Sequence, residues 1–173
     1  MWSKTLFAKL KSVALKLPPA QVLIIQGGRG SIGLEEEMSP QLLVSRKQVA
    51  FEQLNRVISS ADIGLALYHG EDLNHQFTAF SSEKIARYTQ CGLPFIAFNH
   101  GNNGYLRSQI KCCELIADIE ELPQAIELIL SDYANYRAAA FEAFERFYRL
   151  ENTSAALLSF LKKQPASPIG LNQ

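Results

Sequence analysis

Short apolar runs alternate with amphipathic segments along most of the chain. The runs at 21–26, 41–45, 63–68, 94–99 and 114–118 are rich in aliphatic and β-branched residues, and they predict five strands. Between these runs and after the last one, apolar residues recur at helical spacing. Strands that alternate with helices are typical of an α/β domain. We therefore expect a doubly wound, mostly parallel sheet of about five strands, flanked by helices.

Two of the predicted helices can be bounded or oriented from the sequence. One spans 81–91, because Gly92 is suited to the position after a helix end and Pro94 follows closely. The other spans 50–60, where Phe51 and the apolar residues after it fall on one face. We expect that face to pack on the sheet.

The two ends of the chain differ in character from its middle. Residues 1–17 combine lysines with apolar residues at helical spacing, which predicts an N-terminal amphipathic helix packed on the domain. The alternative is a basic helix that lies on an anionic membrane surface. Residues 164–173 contain proline and serine, and we expect a flexible tail. A single domain over 1–163 is consistent with the length.

Charge and cysteine usage exclude several classes of function. Lysine plus arginine and aspartate plus glutamate both number 17, so the basic excess of a nucleic-acid-binding protein is missing. The three cysteines and three histidines lack the spacing of a metal site, and we expect no metal. So few cysteines favour a reducing compartment. We expect a cytoplasmic protein, or one peripheral to the inner face of the membrane.

Three segments of similar composition follow three of the predicted strands. They span 27–31, 69–80 and 99–104, and they contain glycine, asparagine, serine and histidine. In doubly wound folds, ligands bind outside the carboxyl ends of the strands. Because a long loop in a compact domain is usually functional, the segment 69–80 points to a ligand site.

The helix that follows this loop begins with features suited to a phosphate. Ser81 or Ser82 can cap the helix, whose free N–H groups and positive dipole end attract anions. Lys84 adds a positive charge one turn inside. The alternative is an ordinary capping serine with a solvated lysine.

These segments resemble a known family of enzymes. ISSADIGLALY, SSEKIARYTQCGLPFIAFN and CCELIADIEELPQAIELILSDYANYR occur in this order between about residues 41 and 149. They look like the C-terminal, nucleotide-sugar-binding domain of GT-B glycosyltransferases of the group 1 type. The resemblance implies a single Rossmann-like domain that transfers a hexose from a nucleotide-sugar without a metal or other cofactor.

The resemblance also implies a donor site and a partner. The residues that would bind the donor diphosphate and sugar are Gly27, Gly28, Arg29, Ser81, Ser82, Lys84, Gly101 and Gly104. Positive charge and backbone N–H groups would stabilise the departing nucleoside diphosphate. A separate subunit or domain would bind the acceptor. No residue is assigned as catalytic.

The sequence departs from the family pattern at three of its positions. Many members have two glutamates where this chain has Ala79 and Arg87, and Glu83 replaces a glycine. These departures favour an alternative, in which the chain is a truncated, non-catalytic relative that serves as a binding or interaction module.

Overall fold

The fold is described from a computed structural model, in which residues 4–26, 39–45, 48–68 and 73–163 are described. The strands are β1 (Leu23–Gln26), β2 (Leu42–Ser45), β3 (Gly64–Ala66), β4 (Phe95–Phe98) and β5 (Cys113–Ile116). All five coincide with predicted strands. The described helices are α1 (Lys4–Ala14), α2 (Leu54–Ile58), α3 (Leu73–Gln76), α4 (Thr78–Ser81), α5 (Glu83–Gln90), α6 (Asn103–Gln109), α7 (Leu122–Ser131), α8 (Tyr133–Ala143), α9 (Leu150–Thr153) and α10 (Ala155–Lys163).

The strands pair in parallel, within two sheets. β1 pairs with β2, and β4 lies between β3 and β5. The predicted α/β class with parallel strands is therefore confirmed. Within the described residues, backbone hydrogen bonds join the strands into a two-stranded and a three-stranded sheet, where one sheet of about five strands was expected.

Helices cover both faces of the three-stranded sheet. Alternate residues of β4 belong to different cores, because successive side chains of a strand point to opposite faces. Ile96 packs in a core with α1, α7 and the inward residues of β1 and β2. Phe95 and Ala97 pack in a second core with residues of α5, α6 and α8. This burial of β4 on both faces explains its continuous apolar run.

The N-terminal helix packs on the domain, as the first interpretation of its sequence predicts. Leu6, Leu10 and Val13 of α1 are buried in the first core. On its polar side, the Lys9 ammonium contacts the Asp118 carboxylate at 2.7 Å. This ion pair lowers the pKa of Asp118. The apolar face of α1 is therefore unavailable for burial in lipid, and contact of its lysines with a membrane surface stays a prediction.

The helix predicted over 50–60 does not pack on the sheet. The segment forms a 3-10 turn (Phe51–Gln53) followed by α2, and neither buries a residue. Phe51 is 67% exposed. Polar contacts hold the segment instead: the Asn55 side chain contacts those of Arg87 and Gln90 on α5, at 3.1 Å each. The predicted packing was wrong because its apolar periodicity does not face a core.

The segment predicted as a loop over 69–80 contains two short helices, α3 and α4. The predicted helix over 81–91 is shorter at its start, since Ser82 separates α4 from α5. Its end is confirmed: Gly92 has φ +64°, and the Leu93 N–H donates to the Tyr88 carbonyl at 2.8 Å. In the described part of the chain, every helix is too short or too polar to span a bilayer. The tail 164–173 lies outside the described residues.

Candidate functional site

Tyr68 is the second residue after β3 and stands at the centre of the candidate site. Its hydroxyl lies 2.7 Å from the Ser82 Oγ, so the two hydroxyls share a hydrogen bond. Its backbone carbonyl lies 2.5 Å from the Nε2 of His100. Tyr68 therefore joins the carboxyl end of β3 to the start of α5 and to the segment after β4. Three separated stretches of sequence meet here.

The two serines have different roles in the local structure. Ser82 caps α5, since its Oγ accepts a hydrogen bond from the Ile85 N–H at 3.3 Å. Ser81 is the last residue of α4, and its exposed hydroxyl donates to the Phe77 carbonyl at 2.6 Å. The helix start predicted to bind an anion is therefore formed by Ser82. A role for Ser81 in binding stays a prediction.

Lys84 lies in the first turn of α5, partly buried. Its ammonium nitrogen is 5.0 Å from the centre of the Tyr68 ring. Among the described residues, no carboxylate forms an ion pair with it. Desolvation by burial lowers the pKa of Lys84, because water stabilises the charged form. The site thus keeps a cation that no described anion neutralises.

Glu83 would place a negative charge beside this cation, but it is paired. Its carboxylate contacts the Arg87 Nε at 2.8 Å, one turn further along α5. Arg87 also donates to the Asn55 side chain and stacks on the Phe51 ring, 4.5 Å from its centre. Arg87 therefore contacts α2 and pairs with Glu83 in this structure.

Two backbone donors remain at the helix start. In the described part of the chain, neither the N–H of Glu83 nor that of Lys84 has a hydrogen-bond partner. The first N–H groups of a helix lack partners inside the helix and carry the positive end of its dipole. Together with the Lys84 ammonium, they form an arrangement that can bind an oxyanion.

The segment after β4 is held against the segment that leads into α4. Gly101 has φ +55°, and a side chain there would overlap the Gln76 carbonyl. The Asn102 N–H donates to this carbonyl at 2.9 Å, and the Asn102 Oδ1 accepts from the Ala79 N–H at 3.0 Å. Gly101 is therefore required by this close contact, which brings the predicted 99–104 segment to the site.

Three further residues complete the description of this segment. Within the described part of the chain, the Nδ1 of His100 and the Oδ1 of Asn103 are buried and have no hydrogen-bond partner. Such atoms are uncommon in folded proteins, since an unpaired buried polar group is costly. Gly104 lies in the first turn of α6, with free space where a side chain would begin. The predicted contact of Gly101 and Gly104 with a sugar or nucleotide stays a prediction.

A partly buried tyrosine holds α4 through a backbone hydrogen bond. The hydroxyl of Tyr148 donates to the Ala79 carbonyl. Tyr148 ends a π-helical turn (Phe144–Tyr148) that follows α8. Burial raises the pKa of its hydroxyl, which keeps the donated proton in place. Ala79 is thus completely buried and held through its backbone.

The remaining predicted residues, Gly27, Gly28 and Arg29, lie outside the described residues. Among the residues that are described, no group of three or more His, Cys, Asp or Glu side chains could hold a metal ion. Cys112 and Cys113 are buried, and their mutual hydrogen bond together with burial raises the pKa of Cys113. Neither cysteine reaches the candidate site's surface.

Sequence reasoning missed two residues of the site, Tyr68 and His100. Each is the second residue after a strand, and that position was a usable signal, because side chains at the carboxyl ends of parallel strands converge. Tyr68 was interpreted as part of its strand, and His100 as a loop histidine. Comparison with protein-family models and with curated proteins finds no match for the chain.

Proposed function

We propose that this chain is the donor-binding half of a glycosyltransferase that transfers a hexose from a nucleotide-sugar. One observation carries the proposal: Lys84 lies at a capped helix start without a described carboxylate partner. A lysine ammonium beside free helix N–H groups is suited to a phosphate. The family resemblance specifies that phosphate as the diphosphate of a sugar nucleotide.

The site's chemistry would be stabilisation of a leaving group. When the bond from the sugar to the diphosphate breaks, negative charge accumulates on the diphosphate oxygens. The Lys84 ammonium and the free N–H groups of Glu83 and Lys84 would bind that charge more strongly as it grows. The Glu83–Arg87 pair favours this, since it offsets the one described carboxylate of the helix start.

We further propose that the two sheets form the two parts of a Rossmann-like domain. The inward residues of β1 and β2 share a core with Ile96 of β4 and Ile116 of β5. A shared core supports a common layer, to which a separate subunit or domain would add the acceptor site.

Calorimetry with a panel of UDP-, GDP- and ADP-sugars tests the proposal. We expect at least one to bind with a micromolar-to-millimolar Kd, and Lys84→Ala to weaken it about tenfold, as for a charge-assisted hydrogen bond. Lys111→Ala is the matched control, because Lys111 also lies over a tyrosine ring, at 4.9 Å from the centre of Tyr136. No binding by any of the sugar nucleotides would refute the proposal.

A second function is favoured by a different surface. Four apolar side chains of α9 and α10 are about half or more exposed: Leu150, Leu158, Phe160 and Leu161. Clustered exposed apolar residues often mark a protein interface. They support the alternative of a non-catalytic glycosyltransferase-like interaction module, which would need no turnover.

Size-exclusion chromatography with light scattering, at rising concentration and with a candidate acceptor-binding chain, tests this alternative. We expect association that Phe160→Asp weakens, with Leu128→Asp of α7 as the control at another exposed apolar position. Association that both variants weaken equally, or that neither weakens, would contradict an interface on α10.

A further inference from the structure

The hydroxyl, the ring and the backbone carbonyl of Tyr68 each contact a different residue of the candidate site. Its hydroxyl meets Ser82 Oγ at 2.7 Å, its ring lies under the Lys84 ammonium, and its carbonyl meets His100 Nε2. We propose that Tyr68 is a positioning residue, which holds the Ser82 hydroxyl and the Lys84 ammonium in place for one bound anion. The identity of that anion as a sugar-nucleotide diphosphate rests on the proposed function.

The hydroxyl contact directs the proton of Ser82. A serine oxygen has two lone pairs and one proton. One lone pair accepts the Ile85 N–H at 3.3 Å. When the Tyr68 hydroxyl donates to the other lone pair, the proton of Ser82 is left to donate to an anion oxygen. With Tyr68 as the donor, Ser82 can both cap the helix and donate a hydrogen bond to the anion.

The ring contact holds Lys84 without neutralising it. A lysine side chain loses much rotamer entropy when it is fixed. A carboxylate could fix it, but that carboxylate would compete with the ligand for the same charge. An aromatic face attracts an ammonium through its quadrupole and carries no net charge. The Tyr68 ring therefore places the ammonium near the helix start and leaves its charge available.

NMR without any ligand tests the ring contact. A ring under the lysine shifts its ε-methylene protons upfield, and Lys84→Arg assigns the signal. We expect the upfield shift in the wild type and in Tyr68→Phe, and its loss in Tyr68→Leu. Lys111 over Tyr136 is the internal reference and should not move. A Lys84 signal that Tyr68→Leu leaves in place would overturn the proposal.

Binding of inorganic pyrophosphate tests the consequence for the anion. We expect Lys84→Ala and Tyr68→Leu each to weaken binding about tenfold, and Tyr68→Phe about threefold, in the range of single hydrogen bonds. The double variant Tyr68→Leu with Lys84→Ala should bind about thirtyfold more weakly than the wild type, short of the roughly hundredfold loss that two independent effects would give, because only the contact with Ser82 is lost in addition to Lys84. Independent, additive losses would mean that Tyr68 acts on the fold in general, and would overturn the proposal.

A second cycle covers the case in which Tyr68→Leu does not fold. It combines Tyr68→Phe, which keeps the ring, with Ser82→Ala. We expect non-additive losses of pyrophosphate binding, because Ser82→Ala removes the proton that the Tyr68 hydroxyl orients and so leaves Tyr68→Phe nothing further to disturb. Additive losses would again contradict the proposal.

The outcomes separate this inference from the proposed function. Binding of pyrophosphate but of no sugar nucleotide would refute the glycosyltransferase and leave the role of Tyr68 supported. Sugar-nucleotide binding that Tyr68→Leu leaves unchanged would refute only the role of Tyr68. A wild type that binds neither pyrophosphate nor a sugar nucleotide would refute both.

Discussion

The Arg87 guanidinium pairs with the Glu83 carboxylate across one turn of α5, with 2.8 Å between Nε and Oε1. The arginine side chain is only 16% exposed, whereas the glutamate is 72% exposed. Because Arg87 also donates to Asn55 and lies on the Phe51 ring, it joins α5 to α2. Arg87 therefore stabilises the contact between α5 and α2, and it also offsets the negative charge of Glu83 beside the candidate site.

Arg87→Ala should destabilise the fold by about 1–2 kcal/mol, since it removes a hydrogen bond and a cation–π contact besides the ion pair. Urea unfolding measures the loss. Arg149→Ala is the matched control, because Arg149 pairs with Glu145 at the same spacing, at 2.7 Å, but both of these side chains are about half exposed. Its expected cost is smaller than that of Arg87→Ala, since an ion pair between exposed side chains adds little stability. Equal costs for the two variants would contradict the structural role of Arg87.

Gly92→Ala should destabilise the fold by about 2–4 kcal/mol. Gly92 has φ +64°, and a side chain there would overlap the Phe141 ring. Thermal unfolding measures the effect. Gly104→Ala is the control: the added carbon would lie 3.9 Å from the Asn99 Oδ1, in ordinary van der Waals contact. This control should be neutral or stabilising by up to about 1 kcal/mol. A Gly92→Ala variant as stable as the control would refute the tight contact.

The stability difference between Lys84→Met and the wild type should depend on pH. The lowered pKa of Lys84 means that the folded chain keeps this proton less readily than the unfolded chain. Below the lowered pKa, the wild type carries the full cost of a desolvated charge, and this cost vanishes as the pH rises towards and above 10.5. The advantage of Lys84→Met should shrink over that window. Urea unfolding at several pH values tests this, and a constant difference would contradict the burial of Lys84.

The three cysteines should react with a thiol reagent in two classes. Cys91 is partly exposed, whereas Cys112 and Cys113 are buried, and the pKa of Cys113 is raised. Because the thiolate is the reactive form, both buried thiols should react only after unfolding. Ellman's reagent with and without guanidinium measures this, and Cys91→Ser should abolish the reaction of the folded chain. Rapid reaction of more than one thiol in the folded chain would be the contrary result.

Local signals predicted the positions of the helices and strands better than they predicted which of these elements pack or pair with each other. The apolar runs identified every described strand, and Gly92 identified the end of α5, because both signals depend on residues close in sequence. Phe51 shows the limit: its helical periodicity suggested a buried face, yet its ring is largely exposed and lies against the Arg87 guanidinium. The pairing of strands into two sheets depends on distant contacts, which periodicity does not specify.

The candidate site shows the same division. Ser82 and Lys84 could be recognised as a helix start suited to an anion, since capping chemistry is local. The four-residue spacing of Glu83 and Arg87 could also have predicted their ion pair. How this pair affects the charge of the site depends on where Lys84 lies, and the sequence does not show that. The contact between Tyr68 and His100 could not be predicted without the fold, because only the parallel order of the strands brings their segments together.

The close approach of Gly101 to Gln76 has a consequence for the local unfolding of the two segments that meet there. Asn102 contributes both its N–H and its side chain to the segment before α5, so neither stretch can separate without the other. The amide protons of Asn102 and Ala79 should therefore exchange with deuterated solvent at a common rate, as members of one cooperative unit. A ligand bound at α5 would slow both amides together, and so report its presence without touching either.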